Sequence, residues 1–246
     1  MTQTQTSESA AATPGAKSLP ARFAGVLFTP RATYAAVAAH PRWLGIFLTV
    51  LLVTATAAAA LLSTEIGRNA LVDQQISQYE AYGRHLTQPQ IDQLEKMAPY
   101  FAYLAPVFQL ATFGVGGLLL AGIAFAVFNA LLGGDATFKQ VFAVVAHSGV
   151  VLAALSLFTT PLAYARESLS SATNLAVFLP FLDESSFVAR LLGSIDLIFI
   201  WWMLSLAIGL GVLYRTRTGP IATTMLAVYA AIGVIIAAIK TASTGV

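Results

Sequence analysis

The most informative pattern in this chain is the alternation of long apolar runs with short polar breaks. About 20 helical residues cross the hydrocarbon layer of a bilayer. A chain inside that layer must hydrogen-bond its backbone internally, which for this pattern requires helices. The pattern therefore predicts an all-α, polytopic bundle with five membrane spans: Leu44–Leu62, Val107–Leu132, Val141–Phe158, Val188–Leu213 and Ile221–Ile239.

Glycine and proline mark the ends of the later spans. Gly133 and Gly134 are expected to end the second helix, and Pro161 the third. Gly219–Pro220 combines a helix terminator with a proline suited to the first turn of the fifth helix. The break from Tyr214 to Pro220 has only seven residues, so the fourth and fifth helices are predicted to be antiparallel neighbours.

The N-terminal region lacks a long apolar run. Residues 1–20 are rich in Thr, Ser and Ala, and we predict a disordered tail there, followed by one integral membrane domain over residues 21–246. Residues 22–40 combine apolar and basic side chains, with Thr29 as N-cap and Pro30 as first helical residue. This mixture favours either an interfacial helix on the cytoplasmic leaflet or a short helix packed under the bundle.

One long polar stretch, residues 64–105, separates the first two spans. Apolar residues recur in it at roughly helical spacing, and Thr87 with Gln90 resembles a capping box that opens a second helix. We therefore predict an extramembrane helical cap. It serves either as a docking surface or as a lid over the outer end of the bundle.

The basic residues predict an orientation. With the N-terminus inside, segments 1–43, 133–140 and 214–220 face the cytoplasm, and Lys and Arg are denser in them than in the longer segments opposite. We therefore expect a cytoplasmic N-terminus and an external C-terminus. The alanine-rich chain without cysteine looks bacterial, which favours the plasma (inner) membrane.

Composition narrows the function classes. Hydrophobic residues make up 57% of the chain, charged residues 10%, and the mean hydropathy is +0.76, whereas soluble domains carry about 25% charged residues. The net charge of +2 gives no reason to expect nucleic acid. The three histidines lack metal-ligand spacing, and we find no phosphate loop, nucleophile elbow or zinc-protease motif. We therefore expect no enzyme, no metal and no cofactor.

Two ionisable groups interrupt the predicted spans. Asp196 lies about 8 residues from the outer end of the fourth span and His147 a similar depth from the inner end of the third, so the two differ in level by roughly 10 Å. A carboxylate inside a span normally faces protein or water. Asn129 and Ser205 match the depth of His147. Polar residues on other spans match the depth of Asp196: Thr56, Gln109, Thr112 and Ser156.

These polar groups have two interpretations. They form either interhelical hydrogen bonds that fix the packing or a proton or ion relay in a small transporter or channel that uses Asp196 and His147. Transporters usually show several charges at one level, discontinuous helices or internal repeats. The chain has one carboxylate in its spans, and we find no convincing repeat, which favours the packing interpretation.

Three strings carry a family resemblance. LFTPRATYAAVAAHPRW (Leu27–Trp43) looks like the proline-bounded segment ahead of the first span in the Yip family, the Ypt/Rab-interacting proteins and their bacterial relatives. GGDATFKQVFAVVAHSGV (Gly133–Val150) resembles that family's connection between its second and third helices. DLIFIWWMLSLAIGLGVL (Asp196–Leu213) is similar to its fourth span. The resemblance covers about residues 23–239.

The resemblance implies a five-helix bundle with a cytoplasmic N-terminus and no catalytic residues to transfer. It implies a non-enzymatic membrane scaffold or adaptor linked to membrane organisation or trafficking, with the lipid bilayer, other membrane proteins or a homo-oligomer as partners. A small GTPase of the Rab type is implied by the eukaryotic relatives only. His147 stands where tyrosine is more usual. The positions that fit the family pattern are Pro30, Pro41, Gly133, Gly134, Phe138, Lys139, Asp196 and Trp201.

Overall fold

The computed structural model describes residues 18–244, apart from the side chains at positions 102 and 106. Residues 1–17 of the predicted tail lie outside the described residues, but its last two residues belong to the first helix, which Ser18 caps. The helices, in chain order, are α1 (Leu19–Phe28), α2 (Pro30–Ala39), α3 (Leu44–Leu62), α4 (Glu65–Ala81), α5 (Gln88–Phe125), α6 (Phe138–Ala165), α7 (Phe187–Gly193), α8 (Leu197–Leu213) and α9 (Thr218–Thr244). A π-helical turn (Ala126–Leu131) continues α5, and a 3₁₀ turn (Leu175–Phe178) precedes α7.

The described chain is an all-α, multi-pass membrane bundle. Four helical stretches are long and apolar enough to cross a membrane: α3, residues 103–131, α6 and α9. α8 is also apolar but has 17 residues. The predicted fold class is thus confirmed, and the first span has the predicted bounds, Leu44–Leu62.

The bundle is organised around α6. Residues 141–151 of this helix are all buried, and α3, α5, α8 and the two N-terminal helices pack against it. We call the end at which α3, α6 and α9 begin the basic end, because it carries Arg42, Lys139, Arg215 and Arg217. We call the opposite end the cap end, because α4, the first turns of α5 and residues 166–196 lie there.

The cap and the second span share one helix. The predicted capping box is confirmed: the Thr87 amide donates to Gln90 Oε1 (2.8 Å). From there α5 runs for 38 residues, about 57 Å at 1.5 Å per residue, without a break between cap and span. The helix therefore begins well before Val107, the predicted start of the second span, since local hydrogen bonding continues across the change in polarity. The start of the span itself stays a prediction.

The predicted helix ends are partly confirmed. Gly133 adopts φ +70° after the π turn, a backbone conformation that glycine adopts without strain. Pro161 does not end the third helix, because α6 continues through it to Ala165. A proline removes one amide donor, and a membrane helix tolerates this loss where neighbouring groups satisfy the freed carbonyl. Pro220 lies in the first turn of α9 as expected, but the prediction that Gly219 is a terminator is wrong, because α9 already begins at Thr218.

The predicted fourth span is interrupted. The continuous helix expected over Val188–Leu213 is wrong at residues 194–196, where α7 ends and α8 begins. The apolar run is long enough for a span, but hydropathy does not report helix breaks. Side-chain caps decided the break, as shown below.

The N-terminal segment forms two helices instead of one. Pro30 begins α2 as predicted, with Thr29 as the N-cap. Tyr34 and Val37 on α2 are 0% and 2% exposed, and α2 packs against α8 and α6. The face of α2 that carries Tyr34 and Val37 therefore packs against the bundle, and the opposite face of α2 is exposed.

Candidate functional site

The helix break places Asp196 at the N-terminus of α8. Its carboxylate accepts hydrogen bonds from the amides of Ile198 (2.7 Å) and Phe199 (3.3 Å), which makes it the N-cap of the helix. The hydroxyl of Thr173 donates to it at 3.0 Å, and the hydroxyl of Ser171 donates as well. Asp196 is therefore a capping residue held by a loop at the cap end, and no longer a group inside a span.

The backbone of the break is satisfied by neighbouring elements. The amide of Asp196 donates to the hydroxyl of Tyr229 on α9 (2.9 Å), and that hydroxyl donates to the carbonyl of Ser194 (2.9 Å). The loop runs antiparallel to the break: Leu175 N–H donates to Ile195 O (2.9 Å). Unsatisfied backbone groups are costly in a bundle of this kind, so these bonds are what allows a helix to end here.

Asn129 joins three elements at the basic end. Its amide donates to Ala136 O (2.6 Å), and its carbonyl oxygen accepts from the hydroxyl of Tyr214 (2.7 Å). The ring of Tyr214 stacks on Phe128 with 4.6 Å between centroids. A side chain added at Gly134 would lie 2.7 Å from the same ring. Asn129, in the π turn after α5, thus links the connection between α5 and α6 to the end of α8.

Ser205 pairs with a residue of the N-terminal segment. Its hydroxyl lies 2.8 Å from the hydroxyl of Tyr34, and both residues are buried. A side chain added at Gly209 would lie 2.9 Å from the Tyr34 ring, so glycine one turn further along α8 makes room for the aromatic ring. The sequence matched Ser205 with His147 by depth in the membrane, but the hydrogen-bond partner of Ser205 is Tyr34.

His147 is fully buried on α6. Its Nδ1 lies 2.7 Å from Ala143 O, and because a carbonyl only accepts, Nδ1 is the donor. Nε2 has no hydrogen-bond partner among the described residues. The neighbouring Ser148 accepts a bond from Trp202 Nε1 (3.1 Å), which joins α6 to α8.

The structure therefore assigns the predicted polar residues to separate places. Asp196 belongs to the cap end and Asn129 to the basic end, while Ser205 and His147 lie between them and make hydrogen bonds to different partners. None of the residues that match Asp196 in depth is its partner. The partners come from the loop that follows α6. The sequence holds a signal for the helix break, since Gly193 and Ser194 precede an aspartate that is followed by an apolar run, but it holds none for these partners.

Sequence reasoning missed the tyrosines. Tyr34, Tyr214 and Tyr229 each carry a hydroxyl to a polar residue or a helix end in a distant part of the chain. Tyrosines are found at bundle contacts because they bury a ring and present one hydroxyl. The helical period shows which face a tyrosine occupies, but not which helix lies opposite.

The cap end is tied to the C-terminal helix. Arg190 donates to the hydroxyl of Thr244 (2.8 Å), and the ammonium of Lys240 lies 5.5 Å from the ring centroid of Tyr82. α4 packs on α5 and α3. Within residues 18–244, no group of three or more His, Cys, Asp or Glu side chains could hold a metal ion.

The family-pattern positions are distributed over helix starts and turns. Pro30 begins α2, Pro41 lies between α2 and α3, and Phe138 is the first residue of α6, followed by the exposed Lys139. Trp201 is 43% exposed. The helix break places it near the start of α8, although the sequence had placed it at mid-span.

The comparisons with known proteins agree with this architecture. A family model described as the Yip1 domain matches residues 24–239. No curated protein and no solved structure matches the chain.

Proposed function

The chain belongs to the Yip1-domain family, and from this membership we propose that it is a non-enzymatic membrane scaffold or adaptor. It lies in a bilayer and acts in membrane organisation or trafficking. Its basic end and its cap end bind other membrane proteins or a second copy of the chain. A small GTPase partner remains a property of eukaryotic relatives and is not part of this proposal.

The proposal is supported by the hydrogen bonds that the buried and half-buried polar groups make between distant parts of the chain. Asp196, Asn129 and Ser205 each hydrogen-bond to a distant element. A buried polar group whose hydrogen bonds are made inside the protein fixes packing and register. A bundle held this way keeps its ends in one arrangement, and a docking platform needs that property.

We also propose five spans, with α8 as the short one, and a cytoplasmic basic end in a bacterial inner membrane. Because the chain has no cysteine, a single introduced thiol reports one site. In intact cells, a membrane-impermeant maleimide should label Glu80→Cys in α4 and should not label Arg31→Cys in α2. The reverse result would overturn the orientation.

The same thiols test the adaptor role. Photoactivatable cross-linkers attached at Glu80→Cys and Arg31→Cys should each capture a reproducible set of membrane proteins in the native host. Leu52→Cys on α3, which is 70% exposed on the bundle exterior, is the control and should capture lipid. If the cross-linkers at positions 80 and 31 capture no more membrane proteins than the cross-linker at position 52, the scaffold role is contradicted.

One observation favours a second candidate, a small transporter or channel that uses Asp196 and His147. The break between α7 and α8 interrupts one apolar run at the cap end, and interrupted helices are a feature of many transporters. The two functions are separated by a proteoliposome flux assay with Asp196→Asn and, as control, Asp73→Asn on the exposed face of α4. Proton-driven flux in the wild type that only Asp196→Asn abolishes would establish transport; a scaffold gives no flux above protein-free liposomes.

A further inference from the structure

The spans enclose an apolar groove that the proposed scaffold role does not use. Two cavities, of about 300 Å³ and 420 Å³, lie side by side and share Phe47 on α3 and Phe142 on α6 among their lining residues. The first lies between the starts of α3 and α6 and the C-terminal half of α5. The second continues between α3, α5, α6 and the first turns of α8. Small-molecule sites in proteins occupy about 300–1,000 Å³, so the groove is large enough for a ligand.

Glycines on α5 keep the groove open. A side chain added at Gly114 or Gly116 would have no atom of the protein within 4 Å, and both residues line the groove. Opposite them stand the rings of Trp43, Phe47 and Phe142, with Trp43 and Phe142 4.9 Å apart between centroids. Its walls are thus aromatic and aliphatic, and most of them belong to helices long and apolar enough to cross a membrane.

One end of the groove is positively charged. Lys139, in the first turn of α6, lines the first cavity and is exposed. Arg42, also exposed, directly precedes Trp43 in the same wall. Among the acidic residues, Asp135 stands in the connection just before α6. Its neighbour Gly134 lies against the ring of Tyr214 at the end of α8, and burial and the Asp135 carboxylate raise the pKa of Tyr214.

We propose that this groove binds an anionic phospholipid, with an acyl chain between α3, α5 and α6 and the phosphate group beside Lys139. The charge matches: a cation at the basic end meets the headgroup level, where a basic residue near a membrane surface attracts anionic lipid. The shape matches as well, because an apolar trough ending in one cation suits an amphiphile with one charged end. Free phosphate has no acyl chain to fill the groove, and a zwitterionic lipid has no net negative charge to attract Lys139.

The experiment measures lipid binding to the full-length protein in a mild detergent, by native mass spectrometry, with phosphatidylglycerol and phosphatidylcholine as the probes. Gly116→Leu adds a side chain to the wall of the second cavity, where a Cβ meets no protein atom within 4 Å. Gly122→Leu is its matched control, because Gly122 also has open space around its Cβ but does not line either cavity. We expect Gly116→Leu to lower the occupancy of phosphatidylglycerol at least tenfold and Gly122→Leu to leave it unchanged. Gly114→Leu provides a second blocking variant if Gly116→Leu does not fold.

The headgroup contact has its own pair of variants. Lys139→Gln should reduce the preference for phosphatidylglycerol over phosphatidylcholine about fivefold, the effect of one basic residue near a lipid headgroup. Lys96→Gln, which removes an exposed lysine from the cap part of α5, should not change the preference.

Four results would overturn the proposal. They are wild-type occupancy in both groove-blocking variants, equal binding of the two lipids, displacement of bound lipid by millimolar inorganic phosphate, and a groove-blocking variant that changes the monomer–dimer equilibrium while lipid binding stays the same. The last result would assign the groove to a second copy of the chain.

Discussion

The hydrogen bond between Tyr34 and Ser205 offers the sharpest test of how the N-terminal segment is held. The two residues are 0% and 4% exposed, and their hydroxyl oxygens are 2.8 Å apart. Burial raises the pKa of Tyr34 above its ordinary value, so the phenol stays protonated even at a pH where an exposed tyrosine ionises. Replacing Tyr34 by Phe removes this hydroxyl and leaves the ring in place.

The magnitude follows from what the substitution removes. A typical intramolecular hydrogen bond contributes about 0.5–1.5 kcal/mol net, and interhelical bonds in one membrane protein averaged about 0.6 kcal/mol. An unsatisfied buried hydroxyl costs more, but Ser205 can turn its hydroxyl to a carbonyl one turn back in α8. We therefore expect Tyr34→Phe to lower the free energy of unfolding by about 1 kcal/mol.

The assay is a reversible unfolding titration in mixed micelles, with a double-mutant cycle over Tyr34→Phe and Ser205→Ala. A coupling energy of about 0.5–1.5 kcal/mol is expected. Tyr103→Phe is the matched control, because Tyr103 is 81% exposed, and it should change stability by less than about 0.5 kcal/mol. The hydrogen bond would be refuted as a stabilising contact if the effects of the two substitutions simply add and Tyr34→Phe leaves the free energy of unfolding unchanged.

Two further predictions concern the N-terminal half of α8. Asp196→Ala removes the N-cap and the loop contacts and should lower the free energy of unfolding by about 0.5–2 kcal/mol, measured in the same titration; the exposed Asp73→Ala should not, and an equal loss in both would reject the capping role. Trp202→Phe removes the donor to Ser148 and should cost about 0.5–1.5 kcal/mol more than Trp201→Phe, so a larger loss for Trp201→Phe would contradict the contact.

The sequence predicted the architecture because hydropathy is a local property. A run of apolar residues identifies a span wherever its neighbours lie, so the bounds of α3 and the membrane class follow from residues alone. Local hydrogen bonds are equally readable. The capping box at Thr87 and the glycine end at Gly133 depend on residues within one turn of each other, and the structure has both.

The candidate site could be predicted only as a set of residues. Depth along a helix gave Asp196 partners on other spans, but the helix ends just before it and a loop 23 residues earlier in the chain supplies the hydroxyl of Thr173. Ser205 likewise meets Tyr34, 171 residues away in the chain. No local pattern carries such pairings.

The sequence by itself thus determined that this is a helical, multi-pass membrane protein of the Yip type with few polar groups in its spans. The tertiary structure alone decided which residues hold the break in the long apolar run, which tyrosine meets which polar residue, and that glycines on α5 leave a groove. The physical reason is that hydrophobic burial sums over segments, whereas a hydrogen bond or a gap depends on the relative positions of two helices.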